Sequence, residues 1–324
     1  STVYNKEGDV VSTQTDDITV AAGKTETISQ SVDVANPKLW SVDSPNLYWV
    51  RTEIIQNGKV VDRTDSRFGI RYIATNPNSG FYLNGVHTKL NGVCEHSDLG
   101  SLGMETYQAA VDRRIRTLKK YGVNAIRTSH NPVSPEFIEA CDRLGMLVFE
   151  EAFDQWLYSK NSDDYHNYFN KAADGKTVVF DKAGNDNTNN DTSYIEVKRE
   201  DLQSNAERDI KAMVDRDKNA PCIFAWSTGN EIYDARYKHG ENTLDMLTGW
   251  IKEIDTTRPV AACPPTWDNY WANNAQQEKH LAKAEMSGFN YATEQYDGAH
   301  SRYPNMVIFG SETVSAYYYR GVYF

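Results

Sequence analysis

Two glutamates close apolar stretches of the sequence, and their carboxyl groups could carry acid–base and nucleophilic chemistry. Glu231 ends a stretch that runs through WSTGNEI, and Glu312 lies in VIFGSET. Two carboxyl groups can cut a glycosidic bond when one protonates the leaving oxygen and the other, ionised, attacks the anomeric carbon. Each glutamate alone could instead cap a helix or pair with an arginine such as Arg127. The two together favour the chemical interpretation.

Polar and aromatic side chains recur at and just beyond the ends of the predicted strands. Carboxylates and amides can bind sugar hydroxyls, and tryptophan can pack against the C–H face of a sugar. The candidate substrate-binding residues are Asn230, Tyr291, His130, Asn131, Arg127, His96, Asp154, Trp156 and Trp267. The histidines could also bond neighbouring backbone groups, and Asp154 and Trp156 could anchor a loop. The sequence therefore predicts a carbohydrate as the partner.

The elements that must position these residues follow two patterns, which meet near residue 75. Before this point, apolar positions alternate around Tyr48 to Ile54, and Asn57-Gly58 is typical of a hairpin turn. We predict an all-β, immunoglobulin-like sandwich over residues 1–75.

After residue 75, amphipathic helices alternate with short apolar strands, which favours an α/β TIM barrel, (β/α)8, over residues 76–324. Ser134 and Pro135 are typical of a helix start, and Gly145 of its end. The predicted strands span His87 to Val93, Asn124 to Arg127, Leu147 to Phe149, Ile223 to Trp226, Val260 to Ala262, Met286 to Tyr291 and Val307 to Gly310. In such a barrel the carboxyl ends of the strands hold the active site.

Composition excludes several classes of function. The net charge of -11 argues against nucleic acid or an anionic membrane surface as a partner. No apolar run approaches the roughly 18 residues of a membrane span. The 4 cysteines form no CxxC pair, so we interpret them as buried apolar residues. The compartment and homo-oligomerisation stay open.

Several longer phrases occur in order along nearly the whole chain. They are NPKLWSVDSPNLY, RFGIR, NGVCEHSDLG, GVNAIRTSHNPVSPEFIEACDRLGMLVFEEAFDQW, VDRDKNAPCIFAWSTGNEI and VIFGSET. The set resembles glycoside hydrolase family 2, the family of β-galactosidases and β-glucuronidases. The resemblance implies that Glu231 is the acid/base, that Glu312 is the nucleophile, that Asn230 binds the sugar 2-hydroxyl and that Tyr291 hydrogen-bonds the nucleophile. It implies retaining hydrolysis of terminal β-D-galactosides.

The chain departs from the family pattern in two places. Some members carry Glu-x-His as magnesium ligands where this chain reads EEAFDQW, so we expect no catalytic metal and no cofactor, and a structural cation stays open. The chain also opens directly in the sandwich and ends soon after Glu312, so we expect an interior fragment whose barrel lacks its last βα unit. A β-glucuronidase or β-mannosidase is the alternative within the family. For this chain alone, the alternative is a non-catalytic carbohydrate-binding module.

Overall fold

The computed structural model describes residues 1–156, 204–237, 239–265 and 275–314, which contain three sheets and six α-helices. The strands are β1 (Thr2–Asn5), β2 (Val10–Thr13), β3 (Tyr48–Gln56), β4 (Lys59–Phe68), β5 (Ile73–Asn76), β6 (Gly80–Leu83), β7 (Val86–His87), β8 (Gly92–His96), β9 (Ala125–Ser129), β10 (Leu147–Glu151), β11 (Ile223–Asn230), β12 (Val260–Cys263), β13 (Met286–Asn290) and β14 (Ile308–Glu312). The helices are α1 (Gln108–Lys120), α2 (Pro135–Leu144), α3 (Asn205–Asp217), α4 (His239–Lys252), α5 (Ala275–Lys283) and α6 (Tyr296–Arg302). None of these helices is long and apolar enough to cross a lipid bilayer.

The N-terminal region forms an antiparallel sheet with the strand order β2-β1-β3-β4. Its longest pair joins β3 to β4, and the predicted Asn57-Gly58 turn between them has positive φ at both residues. Residues 14–47 contain no regular strand, and their bridge pairing is limited to Trp40 with Pro45. In the described residues, the expected sandwich is therefore represented by one regular sheet.

Seven parallel strands form the main sheet, in the order β8-β9-β10-β11-β12-β13-β14. Every residue of β9, β10, β11, β12 and β13 is buried. Such burial is expected when helices cover the outer face of a parallel sheet and side chains fill the curled interior. This is the predicted barrel. In the described part of the chain no strand joins the edges β8 and β14, as expected for a barrel without its last βα unit.

Local signals explain where the helices begin and end. The Ser134 hydroxyl accepts a hydrogen bond from the Phe137 backbone N–H at 3.3 Å, and Pro135 occupies the first turn of α2. Gly145 ends this helix in the left-handed conformation, with a φ of 75°. The limits predicted for this helix are confirmed. A serine cap of the same type, at Ser204, begins α3.

Buried polar contacts join the N-terminal region to the barrel. The Trp40 indole N–H donates to the Asp142 carbonyl oxygen at 2.8 Å, and this tryptophan is 0% exposed. The Arg71 guanidinium donates to the carbonyl oxygens of Pro221 and Ile223 at 2.9 and 2.7 Å. Trp40 and Leu47 also belong to the same cluster of buried apolar side chains as Ile115 of α1, so the two regions share one hydrophobic core.

The first barrel strand lies later in the chain than predicted. Val86–His87 forms β7, which pairs antiparallel with β6 in a small sheet of order β5-β6-β7, and the barrel strand β8 begins at Gly92. The prediction was wrong because Asn84 and Gly85, both with positive φ, turn the chain into a hairpin before it enters the barrel. The boundary near residue 75 remains a prediction.

Candidate active site

Arg127 lies at the centre of a buried network at the carboxyl end of the parallel sheet. Its side chain is 5% exposed. Its Nη1 donates to Glu312 Oε1 at 2.6 Å, and its Nη2 donates to Glu151 Oε2 at 2.7 Å and to Asn230 Oδ1 at 2.9 Å. Because Glu151, Asn230 and Glu312 end β10, β11 and β14, the guanidinium of Arg127 on β9 ties three strand ends together.

Glu151 forms a buried ion pair with this arginine. Its side chain is 0% exposed and accepts hydrogen bonds from the Ser227 hydroxyl at 2.7 Å, while His130 Nδ1 lies 2.6 Å from its second oxygen. Burial alone would raise the pKa of Glu151, but the charge of Arg127 and the contacts from His130 and Ser227 hold that pKa below its ordinary value. Burial likewise opposes the charge on Arg127, yet the carboxylate of Glu151 raises the pKa of Arg127. The pair therefore stays ionised.

Glu150, the preceding residue of β10, faces away from this network because side chains alternate along a strand. Its Oε1 lies 3.3 Å from Arg216 Nη2 on α3, and its side chain is 0% exposed. Burial, followed by the charge of neighbouring Asp217, raises the pKa of Glu150 well above its ordinary value. Two successive carboxyl groups on one strand thus have opposite pKa shifts.

Glu312 ends β14 with a donor at each carboxylate oxygen. Arg127 bonds Oε1, and the Tyr291 hydroxyl donates to Oε2. The Tyr291 backbone N–H also donates to the Glu312 carbonyl oxygen at 2.6 Å, and His130 Nε2 lies 3.7 Å from Oε1. Tyr291 has a φ of 53°, a left-handed conformation that non-glycine residues rarely adopt. The strand ends thus hold Glu312 in a fixed orientation.

Glu231 follows β11 and is joined to Glu312 through hydrogen bonds. Asn290 Nδ2 lies 3.4 Å from Glu231 Oε1 and 3.3 Å from Asn230 Oδ1, which in turn accepts from Arg127. Glu231 also has a left-handed φ, of 44°. Such backbone strain at a strand end is typical of functional sites.

A cavity of about 600 Å³ opens at this network. His96, His130, Arg127, Tyr291 and Glu312 line it, and the rings of His96 and His130 lie 5.3 Å apart. The volume is in the range of ligand pockets. A cavity of similar volume, about 620 Å³, lies at the junction of the N-terminal region and α2, but it contains none of the predicted site residues.

The structure brings Glu231, Glu312, Asn230, Tyr291, Arg127 and His130 together, with His96 at the cavity wall. Asn131 lies apart from the cavity lining: its amide donates to Ser97 Oγ at 3.2 Å and it is exposed. Trp267 lies outside the described residues.

Two further candidates followed β10 in the sequence. Asp154 is exposed and accepts a hydrogen bond from Asn230 Nδ2 at 2.9 Å. Trp156 is 0% exposed, and its indole N–H donates to the Thr228 carbonyl oxygen at 2.8 Å. The structure therefore places the Trp156 ring in the core and not in the cavity wall.

Sequence reasoning did not select Glu151 and Asn290 as site residues. Both end strands, and both are 0% exposed. Strand periodicity offered a signal for Glu151, because one member of the Glu150-Glu151 pair must point into the barrel. Asn290 directly precedes Tyr291 and offered no such signal.

For a metal site, no group of three His, Cys, Asp or Glu residues in the described part of the chain is arranged to hold an ion. The Glu-x-His pattern that supplies magnesium ligands in some family members does not occur in the segment EEAFDQW.

Two family models together match most of the chain, up to residue 280. Residues 1–71 match "Glycosyl hydrolases family 2", and residues 75–280 match "Glycosyl hydrolases family 2, TIM barrel domain".

Curated relatives and solved structures agree with these matches. A β-galactosidase of Bacteroides ovatus, BoGH2A, is 30% identical over 100% of this chain, and a β-galactosidase of Thermoanaerobacter pseudethanolicus is 30% identical over 91%. A family 2 glycosyl hydrolase structure from Bacteroides cellulosilyticus superposes on 96% of this chain, with a TM-score of 0.81 and 34% identity. The chain spans 37%, 36% and 35% of the lengths of these three proteins.

Proposed function

Since the chain belongs to glycosyl hydrolases family 2, we propose that it carries the catalytic centre of a retaining β-glycosidase that acts on terminal β-D-galactosides. The observation that carries this proposal is the pairing of Glu312 with Arg127 and Tyr291 beside a cavity of sugar size. Two fixed donors stabilise the negative charge that a nucleophilic carboxylate needs.

In the first step, a carboxylate oxygen of Glu312 attacks the anomeric carbon. The glycosidic C–O bond breaks, and the proton of Glu231 moves to the leaving oxygen. In the second step, Glu231 takes a proton from water, the water oxygen attacks the anomeric carbon, and the bond to Glu312 breaks. The sugar leaves with its original anomeric configuration because the carbon is inverted twice.

The charges around the cavity support a neutral sugar over a uronic acid. A glucuronide carries a carboxylate that would need a cation with charge to spare. Among the described residues that line the cavity, Arg127 is the only lysine or arginine, and Glu151 and Glu312 already share its charge. A galactoside needs no such cation.

The test is turnover of a panel of nitrophenyl β-glycosides by the intact gene product that carries this chain. We expect hydrolysis of the galactoside, a β-configured first product by proton NMR, and a loss of at least about 10³-fold in kcat for Glu312→Gln. If only the glucuronide or only the mannoside is turned over, the proposed substrate is wrong and the proposed mechanism stands. Sugar binding without turnover in the wild type would support the carbohydrate-binding module instead.

A further inference from the structure

The segment that follows β10 runs beside the strand end that carries Glu231. The Ala152 N–H donates to the Ser227 carbonyl oxygen at 3.0 Å, and the Asn230 N–H donates to the Phe153 carbonyl oxygen at 2.9 Å. The Trp156 indole N–H adds a third bond, to the Thr228 carbonyl oxygen. The last residues of β11 are thus held by residues 152–156 as well as by the sheet.

Gly229 shows how closely the two segments approach. A Cβ atom at this position would lie 2.6 Å from Ile232 Cδ1, 2.9 Å from the Phe153 carbonyl oxygen and 3.1 Å from Trp156 Nε1. A side chain at this position would force the Phe153 carbonyl group and its neighbours to shift, so the backbone at Gly229 packs closely against residues 153–156. Two residues later, Glu231 adopts its left-handed φ, which surrounding contacts must maintain.

The Trp156 indole also packs against helix α5. The imidazole of His280 on α5 lies 5.6 Å from the Trp156 ring, and burial lowers the pKa of His280 to about 3, so the two rings pack as neutral groups. Trp156 is among the largest fully buried side chains of the protein. A sugar in the cavity has no access to it.

We infer that Trp156 is a positioning residue, which fixes the Glu231 carboxyl group through the Thr228 carbonyl oxygen and the Gly229 backbone and makes no contact with the sugar. This inference rests on the proposed role of Glu231 as the acid/base. An acid that is misplaced penalises substrates in proportion to their need for a proton on the leaving group. A stacking surface that is lost would weaken sugar binding for every substrate alike.

The test compares Trp156→Phe with Trp226→Phe in the intact gene product. Trp226 is a matched control because it is also 0% exposed, lies on β11 and donates its indole N–H to a buried acceptor, Asp255 Oδ2, at 2.9 Å. The readout is kcat/KM on phenyl and dinitrophenyl β-glycosides of the sugar that the wild type cleaves, with the inhibition constant of the free sugar.

For Trp156→Phe we expect kcat/KM on the phenyl glycoside to fall by about 10- to 100-fold, because small displacements of a catalytic group cost this much. The dinitrophenyl glycoside should change by less than about threefold, and the inhibition constant should not change. Trp226→Phe should show no dependence on the leaving group. Equal losses on both substrates, or a raised inhibition constant, would overturn the inference.

Glu231→Gln separates this outcome from a failure of the proposed function. If Glu231→Gln shows no leaving-group dependence, the acid/base assignment itself is wrong. If it does and Trp156→Phe does not, only the positioning role fails. Should Trp156→Phe lose its folded circular dichroism spectrum, Gly229→Ala disturbs the same contact from the other side and must give the same leaving-group pattern for the inference to stand.

Discussion

At the scale of single residues, the site depends on how a few buried charges are shared. Arg127 contacts Glu151 and Glu312 at 2.7 and 2.6 Å, but only Glu312 lies at the cavity. Glu151 therefore neutralises part of the guanidinium charge and fixes the direction of the guanidinium without lining the cavity. If Glu151 lost its charge, the Arg127 guanidinium would be neither partly neutralised nor oriented by it.

We predict that Glu151→Gln destabilises the fold by about 3 to 5 kcal/mol at neutral pH, because it leaves Arg127 buried with one carboxylate fewer. The folded pKa of Glu151 lies below its ordinary value of 4.5, so its stabilising contribution is present above that pH and is lost as pH falls through the folded pKa. The difference in unfolding free energy between wild type and variant, measured in urea, should therefore shrink as pH falls below 4.5 and through the lowered folded pKa of Glu151.

Ser227→Ala is the control for this variant. It removes one hydrogen bond to the same carboxylate, from 2.7 Å, but leaves every charge in place. We expect it to cost about 1 kcal/mol. A Glu151→Gln variant that loses no more stability than Ser227→Ala would mean that the ion pair is not what holds Arg127.

At the scale of elements, two helices end at glycines with the same backbone conformation in different surroundings. Gly122 follows α1 with a φ of 85°, and Gly145 follows α2 with a φ of 75°. A Cβ atom at Gly122 would meet nothing within 4 Å, whereas at Gly145 it would lie 2.2 Å from the Val42 carbonyl oxygen. The second glycine therefore serves both the helix end and the contact with the N-terminal region.

We predict that Gly122→Ala costs about 1 to 2 kcal/mol of unfolding free energy, from its left-handed backbone alone. Gly145→Ala should cost about 1 to 3 kcal/mol more, because the added methyl group must displace Val42. Denaturant unfolding of the two variants measures the difference. Equal losses would show that the N-terminal region moves away from the Cβ atom without cost.

The elements also show how far the sequence predicts the structure. Ser134, Pro135 and Gly145 set the limits of α2 through local hydrogen bonds, so their pattern was sufficient. The start of β8 was misplaced although the sequence held a signal for the hairpin: Asn84-Gly85 is the same dipeptide as Asn57-Gly58, and it turns the chain so that Tyr82 pairs with His87.

In the candidate site, too, the sequence predicts some features and not others. The placement of Glu231 and Glu312 at the same end of the sheet was predictable, because strand ends in a barrel converge on one face, whereas their chemical roles remain a prediction. The burial of Trp156 was not predictable, because its environment comes from α5, whose His280 is far away in sequence. Strand periodicity predicts which face of a sheet a side chain lies on, but the residues that it contacts depend on tertiary packing.

At the scale of the whole molecule, the described strands of the parallel sheet leave two edges, β8 and β14, that approach each other without backbone pairing. Cys94 Sγ on β8 lies 3.4 Å from the Ser311 carbonyl oxygen on β14, and in the described residues no backbone ladder crosses this gap. Unpaired edges are templates for association. The interpretation of the cysteines as buried apolar residues holds for Cys141, Cys222 and Cys263 but is wrong for Cys94, which is exposed because no described strand covers the β8 edge.

We predict that the 324-residue chain self-associates through this gap and that a thiol reagent labels Cys94 alone in the folded protein. Labelling should be slow, because partial burial raises the pKa of Cys94, and slower still as protein concentration rises and association covers the edge. Light scattering and the labelling rate are measured on the same samples, with Cys94→Ser as the unlabelled control. Association with an unchanged labelling rate would place the contact elsewhere.

The alternation of Glu150 and Glu151 places two neighbouring carboxyl groups on opposite faces of the sheet. Burial and the charge of Asp217 favour the neutral form of Glu150 beside Arg216 on the helix side, whereas Arg127 favours the ionised form of Glu151 on the cavity side. Charges act over longer distances in a buried, low-dielectric environment than in water. A change of charge at Arg216 or Asp217 would therefore act first on Glu150 and, across a single strand, on the ion pair of Glu151 with Arg127, so the helix layer and the cavity are electrostatically coupled.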